Sequence, residues 1–168
     1  FVEVQRLSEE IDVLPVTISE RLIGDFNIGD EIGIVGQFRS YNKLVNGKSK
    51  LMLTVFVREI LDFAPAQNPN TIVLVGYLCK PPVYRTTPFN REIADVLLAV
   101  NRSYNKSDYI PCIAWGRNAR FAKNLAVGEK IGISGRIQSR EYQKRLENDE
   151  IKIMTAYEVS INKLSAYE

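Results

Sequence analysis

The 168-residue chain has no histidine, only two cysteines and a single tryptophan. Without imidazole there is no Ser–His or Cys–His nucleophile pair, and the commonest zinc ligand is missing. Cys79 and Cys112 lie too far apart for a C-x-x-C motif, and two thiols cannot build a four-cysteine metal site or a disulfide framework. They read as buried free thiols of a reducing compartment. No apolar run approaches the roughly 18 residues of a membrane-crossing helix. No basic stretch followed by an apolar one marks a signal peptide. There is no G-x-x-x-x-G-K-[ST] loop, and Ile131-Gly-Ile-Ser-Gly135 falls in strand-like sequence and opens no helix to receive a phosphate. Asp149 and Glu150 sit in a polar turn. The expectation is a protein that is not an enzyme, with no catalytic residue, metal, cofactor, small-molecule substrate or membrane contact.

What is present is ordinary for a folded chain: 45% hydrophobic and 25% charged residues. The length allows one domain or two small ones. Net charge is only +2, but it is unevenly spread. Residues 1–69 hold 7 Lys and Arg against 10 Asp and Glu, and residues 70–168 hold 15 against 10. Such asymmetry points to nucleic-acid or membrane contact by one half.

The charge changes sign at the most turn-prone segment, residues 63–69, rich in Pro and Asn, which reads as a linker. The two sides repeat each other. Arg6 matches Arg102, Asp12 matches Asp108, Pro15 matches Pro111 and Val16 matches Cys112. Three extra residues in the second copy bring Ile32-Gly-Ile-Val-Gly36 onto Ile131-Gly-Ile-Ser-Gly135 and Ser40 onto Ser139; two more bring Thr54 onto Thr155. Copies of one unit share one fold. The first copy lacks a counterpart of residues 71–95, so its opening strand is missing or supplied by another chain. The expected domains are 1–62, an incomplete unit, and 70–168, a complete one.

In the complete unit, residues 71–79 form a β-rich run whose Gly76 suggests a bend or bulge. Residues 83–87 read as an edge segment and 93–103 as a buried strand. Residues 108–115 alternate, with Ile110, Cys112 and Ala114 on one side and Tyr109, Pro111, Ile113 and Trp115 on the other. A short helix over 118–126 carries an apolar stripe of Phe121, Ala122 and Leu125, stopped by Gly128. Residues 130–142 and 151–164 read as the last two strands, with a turn at 148–150. Three strands, a helix and two strands match a five-stranded Greek-key barrel, the OB-fold. The fold class is all-β with a short helix: two tandem OB-folds, the first incomplete at its N-terminus.

Aromatics and cations interleave in the second copy. Tyr104, Tyr109, Trp115 and Tyr142 lie beside Arg102, Lys106, Arg117, Arg136, Arg140 and Lys144. Exposed rings stack unpaired bases while Lys and Arg follow phosphates; a duplex hides its base faces, so this pattern favours single strands. Tyr84 and Phe89 are weaker candidates, because a Pro-rich turn can bury them.

Residues 70–164 resemble the bacterial single-stranded-DNA-binding protein family. The resemblance rests on Asn70-x-Ile72-x-Leu74-Val-Gly76-Tyr-Leu78, Pro82-Val-Tyr-Arg85-x-Thr87, Ile93-Ala94, Tyr109-Ile-Pro-Cys-Ile-Ala-Trp115-Gly116 and Gly135-Arg-Ile-x-Ser-Arg140-x-Tyr142. It implies base-stacking rings at Tyr104, Tyr109, Trp115 and Tyr142, a place in the bacterial cytoplasm and nucleoid, and work in replication, repair and recombination. In the first copy the matching positions hold Ser8, Val13, Ser19 and roughly Lys43, so the rings are lost. The family's acidic, Phe-tipped tail is not seen at Ala166-Tyr-Glu168: either it has been removed or this relative does not recruit partners that way. The expected partners are single-stranded DNA and a second copy of the chain, a homo-oligomeric dimer supplying four barrels. The other class considered is a primosome-like or accessory interaction module with weak DNA affinity.

Overall fold

The computed structural model describes residues 1–62 and 69–167. The expected linker, apart from Pro69, lies outside the described residues. The second copy runs β6 (Ile72–Leu78), β7 (Val83–Thr86), β8 (Glu92–Arg102), β9 (Lys106–Trp115), α1 (Arg117–Lys123), β10 (Lys130–Arg145) and β11 (Ile151–Ala166). Its sheet order is β6-β10-β11-β9-β8-β7, and β6 also pairs with β8 at Tyr77 and Leu78. That last pairing closes a five-stranded barrel, with β7 as an outer edge on β8. The helix lies between the third and fourth barrel strands, which is the OB-fold. Period-2 alternation sends Leu78, Leu98, Ile110, Ile131 and Val159 into a core where each is almost fully buried.

Two local expectations are corrected. Gly76 makes no bulge, since its pairing with Ile131 is regular. A Cβ there would collide with the Ala99 carbonyl, so the glycine lets β6 cross close to β8 where the barrel shuts. The helix ends at Lys123 and buries Ala119 and Ala122, while Phe121 points to solvent. Two alanines three positions apart let so short a helix lie flush on the barrel, and Leu125 falls beyond its end.

The first copy comprises β1 (Val2–Gln5), β2 (Ile11–Leu14), β3 (Val16–Thr17), β4 (Gly33–Val45) and β5 (Lys48–Leu61). Pro15 has no N–H to donate and separates β2 from β3; its carbonyl accepts the Val55 N–H at 2.9 Å. The parallel contact Val16–Val55 repeats Cys112–Val159. Both hairpins carry an irregularity just before a glycine, at Val35/Gly36 and Ser134/Gly135. Pairing of Arg39 with Thr54 and of Gln138 with Glu158 makes Glu158, not Thr155, the counterpart of Thr54. The second hairpin is therefore five residues longer, not two (54 to 158 against 39 to 138). One shared threonine misled the alignment; the pairing register decides it. The edge of β4 near Gly33–Gly36, where β6 would lie, has no partner strand among the described residues. The first OB-fold is incomplete in this sense.

The copies join through matched contacts. Ser139 N–H donates to Asp12 (3.0 Å) and Val13 N–H to the Ser139 hydroxyl (2.9 Å). In mirror fashion, Ser40 N–H donates to Asp108 (2.9 Å) and Tyr109 N–H to the Ser40 hydroxyl (2.8 Å).

Candidate nucleic-acid interface

Tyr109 and Trp115 emerge on the outer side of β9, about 20 Å apart along the strand, but Ile113, expected on that same side, is buried, so the alternation is broken between Pro111 and Trp115. Trp115 is 38% exposed and Tyr109 42%. The Arg91 guanidinium carbon sits 5.7 Å from the Trp115 ring centroid. Between the two rings, Pro111 pairs with Leu97 of β8, and both line a groove of about 1060 Å³. Tyr142 and Arg140, on the projecting arm of β10, line the same groove. Tyr142 is 39% exposed, with the Arg140 guanidinium carbon 6.0 Å from its ring. The structure thus brings Tyr142 to the surface that runs between Tyr109 and Trp115.

Tyr104 stands apart, at the tip of the β8–β9 turn. It is 94% exposed, and it and Asn105 have φ of 66° and 59°. Left-handed backbone is costly for a tyrosine, and here it holds a ring out in solvent.

The six cations divide by what they touch. Arg102 Nε lies 2.8 Å from the buried Asp108 carboxylate. Arg140 donates twice to Glu158, at 3.0 and 3.3 Å, and Glu158 also accepts from Gln138 at 2.8 Å. The bond to Glu158 holds the Arg140 pKa above its ordinary value. Arg136 donates to Gln138 at 3.3 Å. Lys106, Arg117 and Lys144 have no ion-pair partner among the described residues.

Sequence reasoning missed Lys80, Arg85 and Lys152, which also line the groove; the outward alternation of Arg85 on an edge strand was the available signal. Tyr84 is packed as expected, donating to Glu92 at 2.6 Å. Phe89 is exposed, contrary to burial under the Pro-rich turn. Tyr84 and, at 2.5 Å, Arg120 both bond the Glu92 carboxylate and hold it below the usual carboxylate range. Cys112 is buried and its thiol pKa is pushed up by desolvation, while Cys79 is half-buried. Among the described residues no group of three or more His, Cys, Asp or Glu is placed to hold a metal ion, and no helix is long and apolar enough to cross a membrane.

The closed barrel, with Tyr109 and Trp115 on the outer face of β9, is an OB-fold. A family model for the Single-strand binding protein family matches residues 69–166, and the chain belongs to that family. Single-stranded DNA-binding protein 1 of Staphylococcus aureus strain COL is 41% identical over 83 residues, which is 45% of this chain and 50% of that protein. Single-stranded DNA-binding protein A of Bacillus subtilis strain 168 is 39% identical over 83 residues, 45% of this chain and 48% of that protein. The chain spans about half the length of the curated relatives it matches. A crystal structure of a deletion mutant of the single-stranded DNA-binding protein from Thermus aquaticus superposes with a TM-score of 0.61. It covers 80% of this chain and 59% of that one. At 21% identity that likeness speaks for the fold.

Proposed function

We propose that the chain binds single-stranded DNA through its second OB-fold and holds it from re-annealing, in replication, repair and recombination in the bacterial cytoplasm. The observation that carries this is the pair of rings on the outer face of β9, Tyr109 and Trp115, with Pro111 between them lining the same groove as Tyr142. Bases stack on Trp115, Tyr109, Tyr142 and Tyr104. Lys106, Arg117, Arg136 and Lys144 neutralise phosphates, and Arg102 and Arg140 add a weaker field because carboxylates already hold them. No bond is made or broken. The family match over residues 69–166 supports this assignment.

The first copy, residues 1–62, acts as a built-in partner barrel. It docks on the second through Asp12, Ser40, Asp108 and Ser139, and two chains together present four barrels. Titration with oligothymidylate tests the binding: stacking quenches Trp115, the only tryptophan. No quenching and no binding at low salt would refute it. Light scattering tests the assembly, with a dimer of chains expected.

A further inference from the structure

The acidity of the first copy is segregated. Residues 1–32 carry two basic and eight acidic side chains, while residues 33–58 carry five basic and none acidic. The cationic stretch is nearly the whole β4–β5 hairpin. Its register pairs Arg39 with Thr54, Tyr41 with Met52, Lys43 with Lys50 and Val45 with Lys48. Antiparallel partners share a face, and alternate residues return to it. Arg39, Tyr41, Lys43, Lys48, Lys50 and Phe56 therefore lie on one face. The opposite face sends Phe38 and Leu53 into the core.

The counterpart face of the second copy is the one that carries Arg140 and Tyr142. With Ser40 matched to Ser139, Tyr41 falls on Arg140 and Lys43 on Tyr142. Ring and cation have exchanged places two residues apart, without leaving the face. A comparison position by position finds Lys43 where a ring should be and misses the ring beside it. Tyr41 is half-exposed, and Tyr41 and Lys50 line the same groove as Arg140, Tyr142 and Lys152. On the same face Arg39 lies 3.9 Å above the Phe56 ring. The neighbour of Tyr41, Ser40, is bonded to Tyr109 across the join.

We propose that this hairpin face of the first copy is a second single-strand contact surface, continuing across the join the path that begins on β9. Tyr41 stacks a base, and Lys43, Lys48 and Lys50 take phosphates. The Ser8, Val13 and Ser19 positions of the same copy have no part in it. The proposal rests on single-strand binding by the second copy.

The test uses the full chain and two oligothymidylates: one of about 8 nucleotides, within one barrel's reach, and one of about 30, long enough to cross both. Tyr41→Trp is placed in a Trp115→Phe background, which keeps a ring at 115 and leaves one tryptophan, on the hairpin. The long oligonucleotide is expected to quench it. Separately, Lys43→Glu with Lys50→Glu, an exposed cross-strand pair outside the core, should weaken the long oligonucleotide about tenfold or more and leave the short one within about twofold. No quenching at position 41 while Trp115 of the parent chain is quenched overturns the proposal. So does a double variant that binds the long strand as the parent does. A parent that binds neither oligonucleotide overturns the binding assignment of the second copy, and this one with it.

Discussion

Asp12 and Asp108 make the same bond in opposite directions. Asp12 of the first copy accepts the Ser139 N–H of the second, and Asp108 of the second accepts the Ser40 N–H of the first. Each carboxylate is almost completely buried and each has an arginine six positions before it, Arg6 at 2.7 Å and Arg102 at 2.8 Å. A buried charge is tolerable only when paired and hydrogen-bonded, and here both conditions are met twice. The join is thus isologous, the pattern of a twofold dimer, drawn within one chain.

Removing either aspartate should loosen this join. Asp12→Ala strands an arginine and an N–H, and hydrogen bonds to charged groups are worth about 1.5–3 kcal/mol. Urea unfolding should show a loss in that range for Asp12→Ala and a similar one for Asp108→Ala. A change under about 0.5 kcal/mol for both would mean the contacts contribute nothing net to holding the copies together.

Trp115→Ala should weaken single-strand binding by about 1–3 kcal/mol and leave thermal stability nearly unchanged, because the ring faces outward. Unfolding of the variant, with affinity per folded molecule preserved, would place Trp115 in the core instead.

The salt dependence should separate the cations. Neutralising Lys106, Arg117 and Lys144 should each reduce the log–log slope by about 0.7, the single-strand value. Arg102→Gln should change the slope less and cost stability, since it abandons Asp108. Equal slope changes at all four positions would show that Asp108 does not withhold Arg102 from the strand.

Glu92 should leave an acid signature. Its folded pKa is below the ordinary value because Tyr84, and then Arg120, bond its carboxylate. A depressed carboxylate stabilises the fold at neutral pH and loses that contribution as pH falls through the ordinary and then the folded value. The stability gap between the parent and Glu92→Gln should therefore shrink below about pH 4.5. A gap constant from pH 7 to pH 3 would contradict the assignment.

The thiols should differ in reactivity. An aromatic disulfide reagent should titrate Cys79 in the native chain and reach Cys112 only after denaturation, because burial keeps Cys112 protonated. Rapid native reaction of both would argue against the packed position of Cys112.

Much of the fold was legible because its markers are local. Pro15 and Pro111, Gly36 and Gly135, and period-2 alternation on β9 and β10 needed only neighbours in sequence. The ion pairs were not legible: Arg140 meets Glu158 across a hairpin 18 positions long, and nothing local says which carboxylate will lie opposite. Phe121 misled because its stripe assumed a longer helix. Tyr41 was overlooked because face, not position, is what a strand preserves; the register had to be seen before the exchange with Lys43 made sense. The outward placing of Tyr109 and Trp115 was legible from the alternation of β9, whereas the burial of Ile113 on the same parity was not.

The isologous join also bears on dilution. In a dimer of separate chains, each half meets the other at the bulk concentration. Here a short connection fixes the local concentration of one half about the other at around the millimolar range, whatever the total amount of protein. The join between the two halves should therefore not melt away at nanomolar protein. The two halves are also free to diverge. A mutation in a symmetric dimer strikes both sides of the axis at once, whereas here Tyr41 and Arg140, at matching positions of the two halves, can change separately.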